Sequence, residues 1–255
     1  MREMSDLQKS EIHLWFADLN GLDRYFRSNV FVKWLHAAEK NRYNRYLSQS
    51  QREHFLFGRG LLKAILSKYA GCDPTDVQFD IDSRGKPFLS SNNPMCLSFN
   101  LSHSGNRLVV AVSKNHDLGV DLENIKRERE ILKIAQRYFS LSEIRGLKHL
   151  SKALQITRFY ELWTLKESVV KACGYGLSGR LSEIVFSFPA SNKLKMHSAP
   201  GNLNHWQSWQ IKESENHMLA LSVKSPDIKI NKIKSYDFIS LSESVVKETI
   251  IVRSS

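Results

Sequence analysis

The chain has 255 residues, of which 42% are hydrophobic and 25% charged, close to the averages for globular proteins. This balance excludes a disordered or fibrous chain and supplies enough apolar material for one large domain or two small ones. Lys and Arg number 37 against 26 Asp and Glu, and the net charge of +11 favours an anionic partner. That partner can be nucleic acid, a phosphorylated small molecule, a membrane surface or an acidic protein, and solubility alone is the remaining explanation.

Sequence signals of nucleic-acid binding, secretion and membrane insertion are absent from the chain. It has no zinc-finger spacing, no basic region followed by heptads and no RNA-binding box. The cysteines Cys72, Cys96 and Cys173 are far apart and form no CxxC pair, so neither a zinc site nor a disulfide framework is predicted. No signal-peptide pattern and no apolar run of about 18 residues occurs. We therefore expect a cytoplasmic protein that binds neither nucleic acid nor membrane.

The first half of the chain predicts a strand, a long helix and further strands, in that order. Residues 12–17 form an apolar run typical of a strand, and polar helical sequence follows to about residue 47. Ser50 is expected to cap a helix that runs to Ala70 and ends at Gly71. Apolar runs then predict strands at residues 77–81, 97–101, 108–113 and 118–122.

The second half repeats this order of elements. A long helix is predicted from residue 151 to Cys173 with its end at Gly174, and strands begin at Ile184, Trp206 and Met218. The first-half strand starts at 77, 97 and 108 are 20 and 11 residues apart, and those at 184, 206 and 218 are 22 and 12 apart. This spacing indicates an internal duplication with a ligand site between the halves, and coincidence of strand lengths is the alternative.

Two carboxylates close the predicted strand that ends in Gly119-Val-Asp121-Leu-Glu123. Because side chains alternate along a strand, Asp121 and Glu123 project to one side and Leu122 to the other. Two oxygen ligands on one side suit Mg²⁺, which leaves further coordination positions to phosphate and water. A solvated strand end is the alternative interpretation of the same pair.

A third carboxylate lies on the second long helix. At about 100° per residue, Lys166, Glu167 and Lys171 fall on the arc opposite the apolar residues, beside Trp163. The helix thus offers one further metal ligand, Glu167, with two cations beside it. The alternative is a solvated face on which Glu167 and Lys171 form an ordinary i,i+4 ion pair.

Other polar side chains lie in two loops and a helix cap. The turn Arg84-Gly85-Lys86-Pro87 presents two cations, and the segment 100–105 carries hydroxyls and an imidazole that can bind phosphate. Ser140 and Glu143 have the spacing of a capping box, which by itself explains the presence of Glu143. A catalytic role for Glu143 therefore needs a separate argument.

Five motifs occur in order along the chain: RGKPF (84–88), FNLSHSG (99–105), GVDLE (119–123), YFSLSE (138–143) and WTLKESVVKACG (163–174). Together they resemble the motifs of the Sfp-type phosphopantetheinyl transferases, and the last fits W-x-x-K-E-x-x-x-K-x-x-G at every fixed position. The resemblance implies an α/β (α+β) fold with a pseudo-twofold arrangement of two similar subdomains, each a long helix packed on a small, mostly antiparallel sheet. It implies that residues 1–117 bind coenzyme A. Residues 118–255 then carry the Mg²⁺-binding carboxylates, the catalytic helix and the carrier contact.

The reaction implied by the resemblance is Mg²⁺-dependent transfer of the 4′-phosphopantetheine arm of coenzyme A to a serine of an acidic acyl or peptidyl carrier protein. Adenosine 3′,5′-bisphosphate is the implied second product. Asp121, Glu123 and Glu167 then hold Mg²⁺. Lys171 stabilises the leaving group, and either Glu167 or Glu143 takes the serine proton directly or through water. The residues implied in coenzyme A binding are Gly85, Lys86 and Pro87 near the adenine, Ser102, His103, Lys166 and Lys171 at the phosphates, and Arg52 and Lys40 at the ribose phosphate.

The resemblance leaves assembly and carrier recognition to be inferred. A monomer is expected, because one chain contains both halves of the site. Carrier recognition is expected at residues 138–147, where Leu141, Ile144 and Leu147 either face a carrier helix or belong to the core. Two other functions are compatible with the residues: another Mg²⁺-dependent nucleotidyl or phosphoryl transferase, and a basic nucleic-acid-binding protein with structural carboxylates.

Overall fold

The computed structural model describes residues 7–22, 27–90, 96–127, 129–175 and 181–255. The first half begins with an apolar strand and continues through helices to two hairpins. Its helices are the π-helical segment Arg27–Phe31, α1 (Val32–Trp34), α2 (Ala37–Arg45) and α3 (Gln49–Ala70). Its strands are β1 (Glu11–Asp18), β2 (Phe79–Ile81), β3 (Pro87–Leu89), β4 (Leu97–Ser104) and β5 (Arg107–Lys114).

The second half follows the same plan and adds strands at its C-terminal end. Its helices are α4 (Ile131–Tyr138), α5 (Leu141–Lys148) and α6 (Lys152–Cys173). Its strands are β6 (Asp117–Asn124), β7 (Val185–Ala190), β8 (Lys193–Ser198), β9 (Trp206–Ser214), β10 (His217–Lys224), β11 (Lys232–Phe238), β12 (Ser244–Lys247) and β13 (Ile250–Ser254).

The internal repeat predicted from strand spacing is visible in the sheets. The five-stranded sheet has the order β12-β11-β1-β5-β4 and the six-stranded sheet β6-β10-β9-β13-β8-β7, while β2 and β3 form a separate two-stranded sheet. Each half therefore pairs its opening strand, β1 or β6, with the second strand of an antiparallel hairpin. The long helices α3 and α6 both have 22 residues, and both end at a left-handed glycine, Gly71 (φ 61°) or Gly174 (φ 70°). The predicted fold class is confirmed.

The C-terminal strands return to the sheet of the first half. β11 pairs in parallel with β1, and β12 forms the outer edge beyond it, although both strands lie in the second half of the chain. β13 enters the other sheet between β9 and β8. The division expected at residue 118 falls at the start of β6, but it does not separate the two sheets completely.

Three apolar clusters arrange the helices and sheets in four layers. Leu61 of α3 belongs to the cluster that packs this helix on the first sheet. Leu14 and Val120 belong to the cluster between the two sheets, and Leu165 and Ala220 to the one that joins α6 to the second sheet. Burial on both faces of each sheet is the main stabilising contribution. Among the described helices, none is both long and apolar enough to cross a membrane.

Two element boundaries differ from the sequence-based expectation. Helix α3 begins at Gln49 with Ser48 as its N-cap residue, so Ser50 lies in the first turn and does not cap the helix. The strand expected at residues 77–81 is shortened to β2, because a 3₁₀ turn over Pro74–Asp76 precedes it. Neither difference changes the topology.

Candidate active site

The edges of the two sheets meet along β4 and β6. Side chains at positions 100, 102 and 104 share one side of β4 because strand residues alternate. They accept hydrogen bonds from the backbone of β6: Asn100 Oδ1 from Val120 N (3.0 Å), Ser102 Oγ from Leu122 N (3.1 Å) and Ser104 Oγ from Asn124 N (2.9 Å). The polar segment that suggested phosphate binding thus also joins the two halves.

The close approach of α6 to β6 depends on Gly119. A Cβ atom at this position would lie 2.0 Å from the carbonyl oxygen of Ser168 and 2.4 Å from the backbone nitrogen of Ala172. Both atoms belong to the backbone of α6, so no side-chain rotation relieves the overlap. Glycine therefore allows the helix to lie directly on the strand, and this contact brings Glu167 and Lys171 to Asp121.

A cavity of about 410 Å³ at this contact is lined by Asp121, Glu123, Glu167 and Lys171. We call it the carboxylate cavity. Lys171 Nζ donates hydrogen bonds to Asp121 Oδ1 (2.7 Å) and Ser102 Oγ (2.9 Å), and Ser102 Oγ donates to Asp121 Oδ1 (3.1 Å). The structure thus brings together the three predicted carboxylates and Lys171 from the second half with Ser102 from the first.

Burial and mutual repulsion shift the carboxyl pKa values in this cavity. Burial and the charge of Asp121 raise the pKa of Glu167 to about 7, and Lys171 opposes the shift. The pKa of Glu123 is raised by the same two causes and is lowered in part by Arg129. Both Glu123 carboxylate oxygens accept hydrogen bonds from Arg129 Nη2, at 3.0 and 3.1 Å. The cavity therefore concentrates negative charge, which favours the binding of a cation.

The donor set fits a divalent cation chemically. Asp121 Oδ2 and Glu167 Oε1 are buried and have no hydrogen-bond partner among the described residues. A buried carboxylate oxygen without a partner is costly, and a hard cation such as Mg²⁺ satisfies it. The ligands are not preassembled: in the described ranges no three His, Cys, Asp or Glu side chains are clustered to hold a metal. Lys171 and Arg129 instead pair with two of the three carboxylates.

A larger cavity of about 630 Å³ adjoins the carboxylate cavity and shares Leu101, His103 and Glu123 with it. We call this larger cavity the basic groove. Residues of α2, α3 and β4 form most of its lining. Its basic lining residues are Arg42, His54, Arg59, His103 and Arg127. A groove of this size and charge suits an extended anionic ligand that reaches the carboxylates.

Some of the residues expected to bind a coenzyme lie in the groove and others do not. Gly85, Pro87 and His103 line it. Lys86 is directed elsewhere, because its Nζ donates to the carbonyl oxygen of Ala172 (3.1 Å) in the last turn of α6. There its positive charge lies against the partial negative charge of the helix end, which stabilises the last turn of α6.

The two basic residues expected at a ribose phosphate lie outside the basic groove. Lys40 is exposed on α2 and does not line the groove. Arg52 is half-buried, and its Nε donates to the carbonyl oxygen of Tyr46 (2.7 Å). The structure therefore does not bring either residue to the site.

Sequence reasoning missed Arg42 and Arg59, which line the basic groove. Arg59 is only 7% exposed, and its Nη1 has no hydrogen-bond partner within the described part of the chain. A helical pattern in the sequence could have indicated that Arg59 faces the groove, because the groove-lining residues of α3 recur at i, i+3, i+4 and i+7. These residues are Phe55, Gly58, Arg59 and Leu62.

Lys166 and Glu143, which were expected to act at the phosphates or at the serine, lie outside both cavities in the structure. The Lys166 side chain is fully buried, with Nζ 2.7 Å from Glu143 Oε2. It also donates to the carbonyl oxygens of Leu181 (2.9 Å) and Ile184. Glu143 caps α5 through Ser140 (2.8 Å) as the capping box predicts. Helix α6 is buried around its whole circumference here, so the alternative interpretation of a solvated face does not apply at Lys166.

Lys166→Met is expected to destabilise the protein by about 3–5 kcal/mol, because Glu143 would remain as an unpaired buried charge. Urea denaturation measures this loss. Lys152→Met, at the exposed start of the same helix, is the matched control and should change stability by less than about 0.5 kcal/mol. A Lys166→Met protein of unchanged stability would contradict the structural role.

Comparison with known proteins gives consistent matches over most of the chain. A family model described as the 4′-phosphopantetheinyl transferase superfamily matches residues 117–222, and one described as 4′-phosphopantetheinyl transferase, N-terminal, matches residues 26–115. The 4′-phosphopantetheinyl transferase HetI of Nostoc sp. is 32% identical over 218 residues, which cover 85% of this chain and 89% of that protein.

Two further relatives match a shorter part of the chain. The 4′-phosphopantetheinyl transferase Sfp of Bacillus subtilis is 31% identical over 148 residues, covering 58% of this chain and 64% of that protein. The 4′-phosphopantetheinyl transferase gsp of Aneurinibacillus migulanus is 31% identical over 159 residues, covering 62% and 63%.

Carboxylates and a lysine beside a basic groove are typical of enzymes that act on phosphoryl groups. The family models and the relatives that match the chain identify the family within this class of enzymes. The chain belongs to the 4′-phosphopantetheinyl transferase family.

Proposed function

We propose that this chain transfers the 4′-phosphopantetheine arm of coenzyme A to a serine hydroxyl of an acyl or peptidyl carrier protein. Mg²⁺ is the proposed cofactor and adenosine 3′,5′-bisphosphate the second product. The observation that carries the proposal is the junction of the two cavities, with carboxylates and Lys171 at one end and the basic groove at the other. Coenzyme A is a long polyanion whose reacting phosphate lies between its two ends, which suits this junction.

Asp121 and Glu167 are the proposed principal Mg²⁺ ligands, because each has a buried oxygen without a partner among the described residues. Glu123 is the proposed third ligand and the weakest of the three, since Arg129 already pairs with it. When bound, Mg²⁺ neutralises charge on the diphosphate and polarises the phosphorus. Lys171 lines the carboxylate cavity, so the positive charge of its ammonium can stabilise the leaving bisphosphate.

Glu167 is the proposed acceptor of the serine proton, directly or through water. Its carboxylate lines the carboxylate cavity, where it can take up the proton beside the reacting groups. Glu143 is the weaker candidate, because it is buried outside the cavity and its oxygens already accept from Ser140 and from the backbone of Phe186 (3.0 Å). Proton transfer therefore requires only residues of the carboxylate cavity.

The proposed boundary between the coenzyme-binding half and the catalytic half lies at residue 118. Residues 1–117 supply most of the coenzyme-binding wall, including Arg42, Arg59 and His103. Residues 118–255 supply the carboxylates, Lys171 and the carrier contact. Since the halves of one chain already form the site, a monomer is proposed, and sedimentation of the active protein tests this. A reducing cytoplasm is the proposed location, and the three free cysteines are compatible with it.

The proposed carrier contact is the exposed start of α5. Leu141 is 72% exposed there, whereas Leu147 is fully buried and Ile144 packs partly against the core. Leu141 thus has the position expected of a carrier contact, and Leu147 belongs to the core. The net charge of +11 favours encounter with an acidic carrier by long-range attraction.

Leu141→Asp is expected to raise the KM for the carrier by about tenfold without changing the affinity for coenzyme A, because it places a charge in an apolar contact. Steady-state kinetics with varied carrier measure this effect. Leu154→Asp is the matched control, since Leu154 is 57% exposed at the start of α6. Equal effects of the two substitutions would reject the proposed contact.

A thermal-shift experiment tests the proposed substrate directly. Coenzyme A with Mg²⁺, at about 100 times its Kd, should raise the melting temperature by roughly 5 °C or more. Double-stranded DNA at the same charge concentration should leave it unchanged. Protection by DNA and none by coenzyme A would favour the alternative of a nucleic-acid-binding protein.

A further inference from the structure

The turn that follows β6 is fixed by hydrogen bonds from three directions. Asn124 organises it locally, and residues of β9–β10 and α6 hold it from outside. The bonds are Ile125 N to Asn216 O (2.9 Å), Lys126 N to Asn124 Oδ1 (2.9 Å), Arg127 N to Asn124 O (3.3 Å) and Tyr160 Oη to Arg127 O (2.8 Å). The backbone of Arg127 therefore has a defined position although the residue lies in a turn.

The side chain of Arg127 is exposed and lines the basic groove. Within the described ranges its guanidinium makes no hydrogen bond or ion pair, whereas Arg129 of the same segment pairs with Glu123. A rigid backbone thus presents an unpaired guanidinium to a cavity. Such a group is available to an anionic ligand, because it has no protein partner among the described residues to give up and its planar fork matches phosphate oxygens.

The position of Arg127 indicates which part of a ligand it meets. Arg127 and Glu123 are the second-half residues among those that line the basic groove, and Glu123 also lines the carboxylate cavity. The two side chains interact electrostatically. Arg127 therefore lies at the end of the groove next to the carboxylates, while Arg42 lies on the wall formed by α2 and α3.

We propose that Arg127 binds the diphosphate of coenzyme A at the junction of the two cavities. This inference rests on the proposed function, since it assumes that coenzyme A occupies the groove. The planar guanidinium donates two parallel hydrogen bonds to phosphate oxygens, and a lysine at this position donates only as a point charge. Arg127 closes the groove from the second half and holds the diphosphate beside the proposed metal ligands.

The test compares Arg127→Ala with Lys126→Ala by calorimetric titration of coenzyme A. Lys126 is the matched control, because it is exposed in the same turn with the same charge and does not line the groove. Arg127→Ala should weaken coenzyme A binding by about 10- to 100-fold, and Lys126→Ala by less than about twofold. Arg127→Lys should recover part of the loss. Equal effects of the two alanine variants would overturn the proposal.

Titration with 3′-dephospho-coenzyme A, which keeps the diphosphate, distinguishes the phosphate that Arg127 meets. If Arg127 binds the diphosphate, Arg127→Ala weakens binding of both ligands by the same factor. A loss seen with coenzyme A and absent with the dephospho form would assign Arg127 to the 3′-phosphate and overturn the inference. Failure of the unmodified protein to bind coenzyme A would instead overturn the proposed function.

Discussion

Glu167→Gln is expected to reduce transfer by about 100-fold or more while the fold stays intact. The substitution keeps the shape of the side chain and removes the charge that the proposed metal site and proton acceptor both require. Glu167 makes no ion pair within 4 Å among the described residues, so its neutralisation leaves no buried cation unpaired. Single-turnover transfer and Mg²⁺ titration of the variant measure the two losses separately.

The stability of the Glu167→Gln protein should respond to pH differently from that of the unmodified protein. The pKa of Glu167 is raised from an ordinary value of 4.5 to about 7 in the fold. A raised carboxyl pKa stabilises the fold fully below about pH 4.5, and the contribution is lost as pH rises through about 7. Without metal, urea denaturation at about pH 5 and pH 8 should show a larger loss in the unmodified protein than in the variant, in which, among the described carboxyl groups, only Glu123 still has a raised pKa.

Glu161→Gln is the matched control on the same helix. Glu161 is buried outside both cavities and pairs with Arg253 (2.6 Å). Its neutralisation should therefore lower stability, because Arg253 loses its partner, and leave the turnover number unchanged. Full activity of Glu167→Gln, or of the unmodified protein in excess EDTA, would contradict the proposed metal site.

Gly119→Ala is expected to lower both the stability and the activity of the protein. The new Cβ would overlap backbone atoms of Ser168 and Ala172, at 2.0 and 2.4 Å, so α6 must move away from β6. The shift should cost about 1–3 kcal/mol of unfolding free energy. It also separates Glu167 and Lys171 from Asp121, and displacements of about 1 Å can reduce rates by 100-fold.

Gly146→Ala is the control for this substitution. Gly146 lies in α5, and a Cβ built there meets no atom within 4 Å. Alanine should therefore stabilise the helix by about 0.5–1 kcal/mol and preserve activity. Unfolding curves and transfer rates of both variants give the comparison. A Gly119→Ala protein with unchanged stability and activity would show that the contact of α6 with β6 does not position the site.

Elements with strong periodicity were predictable from the sequence. The two long helices follow from apolar spacing and from the glycines that end them, Gly71 and Gly174. The central strands follow from short apolar runs, and alternation along β6 correctly put Asp121 and Glu123 on the side opposite Leu122. These features depend on residues near one another in the chain.

Features that depend on distant contacts were not predictable in this way. A helical projection puts Lys166 on the arc opposite the apolar residues. It cannot show that α6 is covered there by Glu143 and the segment 181–184. The C-terminal strands β11 and β12 lack a simple apolar pattern in the sequence. In β12, which lies at the sheet edge, the apolar residues Val245 and Val246 are exposed instead of buried. Arg42 and Arg127 are also far apart in the sequence, so their contribution to one groove becomes visible only in the folded chain.

The proposed transfer is best tested by measuring the mass of a carrier protein after incubation with this chain, coenzyme A and Mg²⁺. A panel of apo-carriers with the acyl or peptidyl carrier fold supplies the acceptors. At least one carrier should gain the mass of one phosphopantetheine on its acceptor serine, and EDTA or Glu167→Gln should prevent the gain. Unchanged carrier masses, with a folded protein that binds coenzyme A, would contradict it.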